Sequence, residues 1–73
     1  MTKIECYWCD DRPTLDDIQL AYMRMRSEDV VVRIEWFVPY NGKHSRLITE
    51  EDLSKYPTYE EYFNKCIPHC YAV

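Results

Sequence analysis

The clearest pattern in the chain is a strict alternation from Val30 to Tyr40. Val30, Val32, Ile34, Trp36 and Val38 form one wholly apolar set, while Val31, Arg33, Glu35 and Phe37 form a mixed one. Successive side chains of a strand point to opposite faces, so this segment reads as a strand with one face on a core and the other partly wet. Asn41-Gly42 follows, and because both residues tolerate positive φ they predict a two-residue hairpin. The return strand is then Lys43 to Ile48, with Trp36 opposite Leu47 and Val38 opposite Ser45. Pro39 has no backbone donor and belongs on the edge side or at the strand's end.

Helical spacing appears on both sides of this hairpin. Leu15, Ile18, Tyr22 and Met25 fall on one face of a helix predicted over 14–26. Thr14 is its N-cap, with Pro13 just before it and Asp16 and Asp17 in the first turn, where the helix dipole favours negative charge. Part of this stretch, Leu20 to Arg26, also alternates, so a strand is the rival reading there. Ser27, Glu28 and Asp29 break the pattern. Downstream, Thr49-Glu50-Glu51-Asp52 opens a short helix with a start like a capping box, and Pro57 stops it. Thr58-Tyr59-Glu60-Glu61 is a second capping box, after which Tyr59, Tyr62, Phe63 and Cys66 share one helical face.

The expected fold class is α+β. It is one small domain spanning 1–73, with an N-terminal cysteine knuckle, a helix, a β-hairpin and one or two C-terminal helices packed on the apolar hairpin face. The composition agrees with a folded domain: 47% of the 73 residues are hydrophobic, 15% are aromatic and one is glycine, whereas disordered chains are poor in aromatics. A core of this size contributes only about 3–5 kcal/mol, so small scaffolds often add a disulfide or metal staple.

The cysteines suggest such a staple. Cys6-x-x-Cys9 has the spacing of a zinc knuckle, and Cys66-x-x-x-Cys70 encloses His69. Four thiolates, or three and the His69 imidazole, would complete a tetrahedral structural zinc site tying the two termini together. Closing a loop of that size is worth roughly 4 kcal/mol of chain entropy. Two disulfides, four free buried thiols and a redox role for Cys6 and Cys9 are the other readings. Cys6-Tyr7-Trp8-Cys9, together with Val38-Pro39 and Asn41-Gly42-Lys43-His44, resembles the glutaredoxin-like proteins, which implies a thiol–disulfide oxidoreductase. Asp10, Asp11 and Pro13 follow the cysteines where that family starts a helix, and negative charge there raises a thiol pKa.

Charge bears on partners. The net charge of −4, from 13 acidic and 9 basic residues, argues against gripping nucleic acid with the whole surface. About half of the acids fall in first turns, where they serve the helix dipoles. The middle of the chain is basic: Arg33, Lys43 and Arg46 are candidates for one solvated hairpin face, and His44 beside the turn reads as exposed. Tyr and Trp are enriched at interfaces, which adds Tyr40 and Trp8 to the candidate contact residues.

There is no apolar run of membrane-spanning or signal-peptide length, so the expected location is the cytoplasm, of the host if the chain is virally encoded. No Ser/His/Asp set, glycine-rich phosphate loop or paired-carboxylate motif supports catalysis or a small-molecule substrate. The expected function is therefore a non-enzymatic, zinc-stabilised protein-binding domain. Its size and charge suit an inhibitor or regulator of the kind that phages, viruses and mobile elements encode. A nucleic-acid-binding regulator using the basic hairpin is the alternative.

Overall fold

The computed structural model describes residues 2–40 and 42–67. Their order is β1 (Lys3–Cys9), α1 (Leu15–Ser27), β2 (Val30–Val38), β3 (Gly42–Ile48), α2 (Glu50–Lys55) and α3 (Tyr59–Cys66). The strands form one three-stranded sheet in the order β1-β2-β3. β1 runs parallel to β2, with α1 as the crossover, and β3 returns antiparallel beside β2. The α+β class and the single small domain are as expected, with one element added.

That element is β1. The segment expected to turn as a cysteine knuckle is extended, and its seven residues pair with β2 from Lys3↔Val30 to Cys9↔Trp36. A strand satisfies its backbone through its neighbour, and β1's neighbour is distant in sequence, so the local pattern alone does not decide it.

α1 starts where its cap chemistry dictates. The Thr14 hydroxyl accepts from the Asp17 N–H, and the Asp17 carboxylate accepts in return from the Thr14 N–H at 2.8 Å. Ile18, Ala21, Tyr22 and Met25 are buried, while Leu15, expected on that face, is 39% exposed at the helix's first turn. Thr58 caps α3 by accepting from the Glu61 N–H, and Tyr62 and Cys66 are buried along it.

All three helices lie on one side of the sheet, over Val30, Val32, Ile34 and Trp36. The core joins Val32, Ile34 and Trp36 to Ile18, Tyr22, Met25, Ile48, Tyr62, Cys66 and Ile67, with α1 packed on both β2 and α3. Three tyrosines find their place here. Tyr22 and Tyr56 each set a ring 5.9 Å from that of Tyr62. The Tyr22 hydroxyl donates to the Tyr56 carbonyl at 2.7 Å.

The hairpin departs from its expected register. Trp36 pairs with His44 and Val38 with Gly42, so the connection spans 39–41 rather than Asn41-Gly42. Pro39 cannot continue the ladder, which ends β2 early, and Gly42 takes φ 77° at the start of β3, where glycine has no steric penalty. The shift is by an odd number of residues, so it exchanges the two faces of β3. Ile48, Arg46 and His44 turn to the helices, while Lys43, Ser45 and Leu47 turn away. His44, expected to be exposed, is half-buried and stacked on Trp36 with centroids 5.8 Å apart.

Ile18 is fully buried between α1 and the sheet. Ile18→Ala is expected to cost about 2–5 kcal/mol in chemical denaturation, whereas Leu15→Ala is expected to cost about 0.5 kcal/mol or less.

Candidate functional site

The second face of the sheet carries no helix among the described residues. The strand registers place its side chains in rows. Ile4 lies beside Val31. Cys6, Arg33 and Leu47 form the next row, then Trp8, Glu35 and Ser45, and finally Phe37 beside Lys43. Ile4, Trp8 and Phe37 are each about half exposed, at 51%, 52% and 49%, and Leu47 is also exposed. Single exposed apolar residues are ordinary, but four on one uncovered face, interleaved with charge, make a candidate interaction surface.

Charge on this face is organised. Lys43 pairs with Glu35 across the hairpin, and the Lys43 ammonium together with Arg33 holds the Glu35 carboxyl below its ordinary range. The Cys6 thiol also hydrogen-bonds Glu35. Arg33 sits at the centre of the face, between Cys6 and Leu47.

Of the expected contact residues, Arg33, Lys43 and Trp8 share this face. Tyr40 stands in the connecting turn and is 94% exposed. Arg46 does not belong to the group. It is on the helix side, where its Nε donates to the Tyr62 hydroxyl at 2.6 Å and its guanidinium covers the Tyr62 ring at 5.5 Å. The cause is the odd register shift, which puts Lys43 and Arg46 on opposite faces. Phe37, Ile4 and Leu47 were not singled out from sequence. The mixed half of the 30–38 alternation already contained Phe37, but Ile4 and Leu47 needed β1 and the true hairpin register.

The cysteines separate in the same way. Three positions apart on a strand means opposite faces, so Cys6 is exposed on the open face and Cys9 is buried on the helix side. Cys66 is buried in the same core as Cys9. Cys70 and His69 lie outside the described residues. Among the described residues, no group of three or more His, Cys, Asp or Glu is placed to hold a metal ion.

Cys9 has a specific partner. Its thiol and the Tyr7 hydroxyl both donate to the Asp17 carboxylate, the latter at 2.8 Å. Burial, then the neighbouring Asp17, push the Cys9 thiol up to about 12. Burial opposes ionisation of Asp17 as well. The donors from Thr14, Tyr7 and Cys9 outweigh it and hold that carboxyl below its usual range. This is a junction between the end of β1 and the start of α1. A thiol kept neutral is a poor nucleophile.

A third feature lies along the outer edge of β1. A cavity of about 250 Å³ opens there between β1 and α1, lined by Glu5, Tyr7, Leu20, Ala21, Arg24 and Val32. It is spanned by the ion pair of Arg24 and Glu5 at 2.7 Å. Leu20 and Met23 of α1 stand exposed beside it.

Compared with known protein families, curated proteins and solved structures, the chain shows no match. No helix of the described residues is long and apolar enough to cross a membrane.

The Cys9 environment gives a pH dependence. Folding favours the neutral thiol, so its contribution is complete below pH 9 and is lost as pH rises from 9 towards 12. Tyr22, raised to about 12 mainly by burial, adds to the loss above pH 10. Thermal melting is expected to drop over this interval, and Cys9→Ala is expected to flatten the lower part of the drop.

Proposed function

We propose that this is a non-enzymatic binding domain whose working surface is the open face of the sheet, and that its partner is another protein. The observation that carries the reading is the grouping of Ile4, Trp8, Phe37 and Leu47 around Arg33 and the Glu35–Lys43 pair. Aromatic and arginine anchors at the centre of a patch are the usual energetic core of protein recognition. The acidic surplus of the chain suits a partner with a basic rim, as expected of an inhibitor or regulator of the phage or viral kind. A redox role is disfavoured by the neutral, buried Cys9 thiol and by its place at a strand end rather than at a helix N-terminus.

The same face supports a second reading. Trp8 and Phe37 stand beside Arg33 and Lys43, the combination on which single-stranded nucleic acid stacks. Glu35 in the middle, and its claim on Lys43, weigh against it.

One pair of measurements separates the two. A photo-crosslinking residue at Phe37 is expected to capture a single cellular protein, to lose it on Arg33→Glu, and to capture none from Glu60 on α3. Trp8→Ala is expected to weaken that complex by about 2 kcal/mol or more. Steeply salt-dependent binding of a short single-stranded oligonucleotide, lost in Trp8→Ala, would instead establish the nucleic-acid reading.

A zinc clip between the two ends of the chain belongs to the same proposal, with narrower membership. Cys6 leaves β1 on the wrong face, so the ligands would be Cys9, Cys66, Cys70 and His69, with Cys9 giving up its proton and its bond to Asp17 when the metal binds. Native mass spectrometry is expected to find one zinc in the wild type and in Cys6→Ser, and none in Cys9→Ser. A bare chain in the wild type rejects the clip.

A further inference from the structure

The free edge of β1 carries information that neither face of the sheet uses. The Lys3 N–H donates to the Asp29 carbonyl at 3.4 Å. Backbone groups alternate sides along a strand, so Lys3, Glu5, Tyr7 and Cys9 direct theirs to β2. Ile4, Cys6 and Trp8 direct theirs outward, and no strand pairs with them among the described residues.

Edges of this kind are normally blunted by proline, a bulge, charge or a cover. β3, the opposite edge, begins at a glycine and carries the exposed Lys43 on its open face. β1 is less guarded. Its only charges are Lys3 and Glu5, and Glu5 is bound to Arg24. Exposed apolar side chains flank it on both layers: Ile4 and Trp8 on the open face, Leu20 and Met23 on α1.

We infer that β1 pairs antiparallel with β1 of a second copy of this chain, around a two-fold axis at Cys6, joining the two sheets into one of six strands. The register follows from the strand itself. An antiparallel ladder needs outward-directed residues opposite one another. Cys6 is the centre of Lys3–Cys9, so the axis sets Cys6 opposite Cys6 and Ile4 opposite Trp8 of the second copy. These three pairs supply about six backbone hydrogen bonds.

The side chains agree with that register. Ile4 against Trp8 is an aliphatic–aromatic pair of the kind that stabilises sheets. Glu5 falls opposite Tyr7 of the second copy, next to the cavity at the β1–α1 edge. Lys3 falls opposite Cys9 of the second copy, beside Asp10 and Asp11, which gives complementary charge at both ends of the ladder. On the helix side the two α1 helices become neighbours, and Leu20 and Met23 are the exposed residues between them. Pairing β1 with β3 of another copy would instead be head-to-tail, which gives rings or open filaments rather than a two-fold dimer.

A dimer built this way leaves the open face free and makes it continuous across both copies, whatever binds there. The test uses the full chain. Sedimentation equilibrium is expected to give twice the chain mass, falling to one chain on dilution. Cys6→Pro removes an outward N–H that the monomer does not use, and proline is tolerated at such an edge position. This variant is expected to keep the circular dichroism of the wild type and to sediment as one chain. Hydrogen exchange on the unaltered protein provides a second readout. The amides of Ile4, Cys6 and Trp8 are expected to exchange about tenfold or more slowly in the dimer than in the dilute monomer. A single chain mass up to about 1 mM, the weak limit of specific association, overturns the inference. So does a dimer that persists in a folded Cys6→Pro, or a dimer in which those three amides are unprotected.

Discussion

The carboxylate of Asp17 is the fastening on which the arrangement depends. It caps α1 through Thr14, and it also takes the Tyr7 hydroxyl and the Cys9 thiol from β1. A parallel strand has no tight turn to hold it beside its neighbour; it relies on the crossover helix that connects them. Here one side chain binds the last turn of the strand to the first turn of that helix. Such a carboxylate costs desolvation, which several charge-assisted donors repay. Without it, β1 would keep its ladder to β2 and the Glu5–Arg24 ion pair but lose the tie at its C-terminal end to the layer above.

With β1 held, the helices are committed to one side. α1 covers the β1–β2 half of the sheet and α3 packs against α1, so the apolar set of β2 is enclosed between them. Parallel strands are usually buried on both faces. Among the described residues the second face stays open and carries large apolar side chains. That is why the candidate surface lies opposite the core rather than in a cleft. The aromatic surplus divides accordingly. Tyr22, Tyr56 and Tyr62 fill and cross-brace the interior, while Trp8 and Phe37 face outward.

What could be read from the chain in advance was what is local. The caps at Thr14 and Thr58, the buried face of α3 and the two faces of β2 all follow from periods of 3.6 and 2 within a few residues. β1 escaped because Cys6-x-x-Cys9 has a spacing that fits a metal knuckle, and the alternation of Ile4, Cys6 and Trp8 with Glu5, Tyr7 and Cys9 competes with it in the same seven residues. Only the parallel pairing with β2 decides between them. The hairpin register escaped for a different reason. Asn41-Gly42 is a strong turn signal, but Pro39 had already ended the strand, and the turn formed around the earlier constraint. From that one error followed the misplacement of Arg46 and His44.

The 39–41 connection therefore has two kinds of tolerance. Tyr40 projects almost wholly into water, so identity at that position can drift, whereas Pro39 is held by its role as the strand's stop. The length of the connection cannot drift. Adding or deleting one residue would turn β3 over, sending Ile48 to the surface and Leu47 into the interior, and would exchange the lining of the core with that of the open face. In a lineage of such proteins position 40 should vary freely while gaps and insertions are purged from the loop. The side-chain lining of both faces of the sheet would then be guarded by the length of a loop that belongs to neither.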